Sequence, residues 1–223
     1  MDLSTTENAG AIYESYIGNF TNADGTIIWL TLCGEADGLV DNRAVFEEYN
    51  IPLPTDYDSL VSVCQAFEEV GIRGFVADFE YDYTCMEIVR GLSIPEITST
   101  EGRMWRSSYD DPADSEPVGL DETIWQGAFE RMEQFIDDVH ILPEDVEFGY
   151  SPVIDMFTEG KAATIRAGGS NVVAFQNMGV DAVFLPYFGQ DGEQWLLTYP
   201  AFRVALNKDL ESDKSRKKGY ACA

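Results

Sequence analysis

Asn42-Arg-Ala-Val-Phe-Glu-Glu-Tyr-Asn-Ile-Pro-Leu-Pro-Thr-Asp-Tyr-Asp-Ser-Leu60 is the stretch on which the reading of this chain turns. Pro52 and Pro54 hold its middle extended, because each fixes φ and removes a backbone donor. Thr55 then reads as an N-cap, with Asp58 three residues on placed to reach back as in a capping box. Leu60, Val63, Cys64, Phe67 and Val70 follow at helical spacing and make one apolar stripe. Gly71 suits the left-handed residue that ends a helix, and residues 73–78 read as a strand after it.

Working outward, residues 9–20 predict a helix with Ile12, Tyr13, Tyr16, Ile17 and Phe20 on one side. Residues 22–25 read as a turn and 27–32 as a strand. A helix over 83–90 ends at Gly91, and the Pro-bearing stretch 93–119 reads as irregular. The longest periodicity starts from a cap at Asp121 and runs to Val139, with Trp125, Phe129, Met132 and Ile136 expected on the core side. Ser151 reads as the cap of a shorter helix with Pro152 at its first position and Gly160 at its end. Residues 161–167 read as a strand, followed by a turn and a helix through Gln176; 180–185 and 203–206 are two more strands. Strands alternating with helices predict an α/β fold with a largely parallel sheet.

The 42–60 stretch and the distant segment Phe157-Thr-Glu-Gly-Lys-Ala-Ala163, taken in this order, resemble the family 1 extracellular solute-binding proteins, the carbohydrate-binding components of ABC importers. The resemblance covers roughly residues 24–209 and implies a three-layer lobe of the periplasmic-binding-protein type II fold. It implies residues 1–26 as a remnant of a first lobe, 27–200 as a solute-binding lobe with both hinge crossings, and 201–223 as a truncated return segment. It also implies binding without catalysis, a sugar or related polar solute as ligand, an ABC permease as partner, and a secreted or lipid-anchored location. Met1-Asp2-Leu3-Ser4 shows neither a basic nor an apolar leader region, so no signal peptide is expected in this chain.

Forty Asp and Glu against fourteen Lys and Arg give a net charge of -26, which repels nucleic acid phosphates and anionic lipid. No apolar run is long enough to cross a bilayer. Lys208, Lys214, Arg216, Lys217 and Lys218 gather in what reads as a solvated tail. Cys33, Cys64, Cys85 and Cys222 have no C-x-x-C spacing, and Cys64 reads as a small core residue. His140 is the only histidine, which argues against Ser-His-Asp and multi-His metal chemistry. The acidic loop 110–116 lacks the Gly and Glu placement of an EF-hand, and no Gly-rich phosphate loop is present, so no metal or cofactor is expected.

Sugar clefts combine aromatic faces with carboxylate, amide and guanidinium groups, and in open α/β sheets such groups gather past the C-terminal ends of strands. Glu35 and Asp37 follow the 27–32 strand; the resemblance implies a ligand carboxylate at Glu35, the alternative being a solvated loop. Asp78, Tyr81 and Tyr83 follow the next strand, and the resemblance implies a stacking aromatic at Tyr83, with Tyr81 second. Ser170 and Asn171 follow 161–167; family members often carry a Trp platform where Ser170 stands. Arg166 is a possible further donor or a solvated strand residue, and Trp195 and Tyr199 either line the cleft or pack between lobes. The rival reading is a carbohydrate hydrolase using a carboxylate pair such as Asp78 and Glu80. A third is a truncated lobe with little binding of its own, in which Trp29, Trp195 and Tyr199 are left exposed or covered by self-association.

Overall fold

Side chains alternate across a strand, and two strands of this protein use that alternation to feed two separate cores. The computed structural model describes residues 2–110, 119–120, 122–147, 149–189 and 192–206. In chain order the elements are α1 (Glu7–Gly10), α2 (Glu14–Ile17), β1 (Leu30–Asn42), α3 (Arg43–Tyr49), α4 (Tyr57–Glu69), β2 (Arg73–Val76), α5 (Asp82–Leu92), α6 (Ile94–Thr98), α7 (Thr100–Asp110), α8 (Glu122–Asp138), α9 (Tyr150–Thr158), β3 (Ala162–Gly168), α10 (Gly169–Asn177), β4 (Ala182–Leu185), β5 (Tyr187–Phe188), β6 (Gln194–Trp195) and β7 (Leu197–Val204). Residues 36–197 form one compact unit, and the residues before and after them form another.

In the larger unit the strand order is β2-β3-β1-β4. β2 and β3 are parallel, while β1 runs antiparallel to both β3 and β4, so three of the four strands share one direction. Leu39 and Phe75 face a core completed by Leu60 and Cys64 of α4, Ile88 of α5 and Met132 and Phe135 of α8. Their strand neighbours Val40 and Val76 face the opposite core with Ile165, Val153 and Phe157 of α9 and Phe175 of α10. Helices therefore cover both faces, giving the expected three-layer α/β architecture with a mixed sheet.

Several local expectations shift by a residue or more. Asp56, not Thr55, caps α4: its carboxylate accepts from Ser59 N at 2.8 Å, and Ser59 Oγ accepts from Asp56 N at 3.0 Å. Gly71 does take the left-handed conformation, at φ 79°. Gly149, not Ser151, caps α9. Gly91 does not end α5 but lies within it, because a Cβ there would sit 2.3 Å from the Tyr187 ring. The stretch after Ser93 is not irregular; it forms α6, with Pro95 in its first turn where a missing N–H costs nothing, and then α7. On α8 the buried residues are Ile124, Ala128, Met132 and Phe135, while Phe129 is 47% exposed and packs beside a half-buried Trp125. The Asp121 cap, residues 111–116 of the acidic loop, the basic tail from Lys208 and Cys222 lie outside the described residues.

β1 is the largest departure. It does not end at residue 32 but runs thirteen residues, carrying Glu35, Asp37 and Asp41 within the strand. The other unit contains α1, α2 and the first residues of β1, which pairs with β7. The helix expected over 9–20 is broken at Gly10 and Gly18, residues of poor helix propensity. Leu3, Ala9, Ile27 and Leu30 form its small core. The final strand covers 197–204 rather than 203–206.

Candidate functional site

β2 and β3 run in parallel and end at the same edge of the sheet, where the chain turns into α5 and α10. The first turns of α5, α9 and α10 meet the strand ends around a concave pocket with about 390 Å³ of open space, part of it continuous with solvent. Asp78 comes from the end of β2, Tyr83 and Thr84 from α5, Tyr150 from α9, Arg166 from β3 and Asn171 from α10. Ile165, Val153 and Phe175 supply its apolar floor.

Asp78 is 6% exposed, and neither carboxylate oxygen has a protein hydrogen-bond partner of good geometry. Burial, and next the nearby Glu80 carboxylate, raise its pKa above the ordinary carboxylate value; Arg166 opposes them. A buried acceptor without a donor costs free energy unless something satisfies it, so Asp78 is the pocket's open valence. Asn171 is partly committed, since its side-chain oxygen accepts from Gly168 N at 3.2 Å and so helps cap α10. Tyr83 and Tyr150 are 57% and 53% exposed, which leaves aromatic surface at the rim, and Tyr81 stacks on Tyr83 with ring centroids 5.8 Å apart.

Arg166 is held by two carboxylates, the buried Asp37 and the half-buried Glu87. Its Nη2 is 2.5 Å from Asp37 Oδ1 and also contacts Glu87 of α5. Tyr187 donates its hydroxyl to Asp37 Oδ2 at 2.7 Å. Asp37 is fully buried, and desolvation pushes its pKa up to about 6 despite the adjacent Arg166. It is a positioning residue that anchors Arg166, not a pocket wall.

Of the residues expected at the site, Asp78, Tyr83, Asn171 and Arg166 come together in one pocket. Tyr81 reaches it only through its stack on Tyr83. Ser170 is exposed at the start of α10 but is not among the lining residues. Trp195 is spent on packing: it donates Nε1 to Gly91 O at 2.5 Å and packs against the core around Tyr187. Glu35 belongs to the other compact unit, where it is half-buried.

No family model matches the sequence, and no curated protein matches it. Solved structures do. A sugar transporter from Bacillus licheniformis in complex with stachyose aligns at 12% identity over 100% of this chain and 59% of its own, with a TM-score of 0.72. A family 1 extracellular solute-binding protein from Bifidobacterium longum subsp. infantis aligns at 15% identity over 99% and 56%, with a TM-score of 0.67. RafE from Streptococcus pneumoniae gives 16%, 99% and 56%, with 0.66. The fold is that of the family 1 extracellular solute-binding proteins. The chain spans slightly more than half the length of these solute-binding proteins.

Within this solute-binding protein fold, Tyr150 and Thr84 are the pocket residues the sequence reading missed. The signal for Tyr150 was present: placing the α9 cap at Gly149, two residues earlier than Ser151, would have put an aromatic in the first turn, beside the strand ends. Among the described residues no helix is long and apolar enough to cross a membrane, and no cluster of three potential metal ligands occurs.

Proposed function

We propose that residues 36–197 form one wall of a carbohydrate-binding site, in the solute-binding component of an ABC importer, acting outside the membrane and without catalysis. The observation that carries this is Asp78, a buried carboxylate with no protein hydrogen bond of good geometry, set in a pocket rimmed by Tyr83 and Tyr150. A pyranose offers adjacent hydroxyls to such a carboxylate and an apolar C–H face to an aromatic ring. Arg166 and Asn171 supply further donors. Two neighbours of the same fold are solved with sugars, one with stachyose and RafE with raffinose. The permease would read the ligand-bound form, since a ligand shifts only the equilibrium it binds differentially.

Titration calorimetry against a panel of neutral oligosaccharides tests this. At least one sugar binds the wild type reversibly, and an Asp78→Ala, Tyr83→Ala double variant loses that binding. Equal binding by wild type and variant refutes the site. Consumption of the sugar over hours favours the hydrolase reading instead.

A further inference from the structure

Among the described residues Arg166 is the only cationic side chain lining the pocket, and its charge is already committed. Asp37 lies 2.5 Å from its guanidinium and Glu87 contacts the same nitrogen. Two carboxylates thus hold this guanidinium before any ligand arrives, and Glu87 is also paired with Arg90 at 3.4 Å, so the uncompensated charge at the pocket is that of Asp78. Asp78 adds a third, 6% exposed and without a hydrogen bond of good geometry on either oxygen, and the Glu80 carboxylate acts on it with the same sign. Among the described residues no uncommitted cation lines this pocket.

We propose that the pocket selects its ligand by charge: a sugar carrying a protonated amine binds above its neutral counterpart, and sugar acids are excluded. The proposal rests on the carbohydrate reading above. An ammonium brings three donors to Asp78 and a charge that completes the balance, and such charge-assisted hydrogen bonds are stronger than neutral ones. The faces of Tyr83 and Tyr150 also attract a cation. A neutral hydroxyl satisfies the same oxygens but leaves the excess negative charge. A uronate brings like charge against Asp78 and finds Arg166 already held by two carboxylates.

The test is calorimetry on the full chain, at a pH where the sugar amine is protonated. The probes are oligosaccharides matched in length and linkage, each as the neutral sugar, the amino sugar and the uronate, in both gluco and galacto configurations. The amino sugar of the accepted configuration is expected to bind about tenfold more tightly than the neutral one, and the uronate not measurably. The preference should shrink in high salt and vanish in Asp78→Asn. That variant removes a buried unpaired charge, so its melting temperature should not fall, which separates lost preference from lost folding. A uronate that binds as well as the neutral sugar overturns the proposal, as does an amine preference that survives Asp78→Asn. If neutral sugars bind without any amine preference, only the charge selection falls. If no sugar of any charge binds the wild type, the carbohydrate reading falls, and the selection with it.

Discussion

The two compact units of this chain spend similar sequence in different ways. Residues 36–197 stack helices on both faces of a sheet and bury large side chains completely, among them Phe46, Phe67, Phe135, Phe157 and Phe175. The other unit buries Leu3, Ala9, Ile27 and Leu30, and leaves Ile28, Trp29, Leu32 and Phe202 exposed. Both regions contain apolar residues at intervals that fit a helix or a strand. Among the described residues the larger unit has more elements to close a core around them, and burial fraction rises with the size of the packed body. The difference teaches that apolar content alone does not make a core; a second layer does.

The largest effects should separate the units. Phe135→Ala is expected to cost about 3–5 kcal/mol in a denaturant titration, because it empties the centre of the α4–α5–α8 core. Leu30→Ala should fall at about 2 kcal/mol, the low end for such a change, because a small core collapses around the gap more easily. Equal losses would break the comparison. Phe129→Ala, on the exposed side of α8, should stay within about 1 kcal/mol.

A pH dependence should belong to the larger unit. Asp41 is fully buried on β1, accepts from Thr164 Oγ1 at 2.7 Å, and has its pKa pushed up to about 7 by burial. The folded state therefore holds the proton more tightly than the unfolded chain. This contribution is fully present below the unfolded value of about 4 and is lost as pH rises through about 7, on the order of 4 kcal/mol if Asp41 acted alone. Asp37 has the same sign, ending near its raised value of about 6. Thermal melts across this window should show falling stability, and Asp41→Asn should flatten much of the slope. A profile that rises instead would show that the ionised form is the one the fold stabilises.

The smallest expected contrast is between helix caps. Asp56 heads the thirteen-residue α4 in a reciprocal pair with Ser59, so Asp56→Ala should cost about 1 kcal/mol. Thr6 caps the four-residue α1, accepting from Ala9 N at 3.3 Å. Thr6→Ala should cost no more than a few tenths of a kcal/mol. Matching costs in chemical denaturation would indicate that α1 is as integral to its unit as α4 is to the other.

How legible the molecule was depends on the element. The α4 stripe was read correctly from Leu60 to Phe67 because its apolar residues share one face and nothing competes with them. Of the four α8 residues expected on the core side, Met132 is buried, Trp125 and Ile136 pack half-buried against the core and Phe129 is exposed; the last was misplaced because it is larger than Ala128 and looks more core-like. β1 was cut short because Glu35, Asp37, Gly38 and Asp41 resemble loop residues. The carboxylates of Asp37 and Asp41 are tolerable in the buried part of this strand only because Arg166, Tyr187 and Thr164, more than a hundred residues away in sequence, come to meet them.

From the sequence came the fold class, several elements of the larger unit, among them α4, α8, α9 and β3 but not α6, α7 or the full β1, and three of the pocket's polar residues, Asp78, Tyr83 and Asn171. The elements, Asp78 and Asn171 follow from local patterns, that is periodicity, turn residues, and the rule that chemistry gathers past strand ends, whereas Tyr83 follows from the family resemblance. Only the tertiary structure decided that Asp37 lies beneath the site rather than in it, that Arg166 is held between two carboxylates, that Trp195 is spent on packing, and that Tyr150 reaches the rim. The physical reason is that a side chain's role depends on which partners satisfy its charge and hydrogen bonds, and here those partners sit on other strands and helices. Sequence proximity carries no information about them.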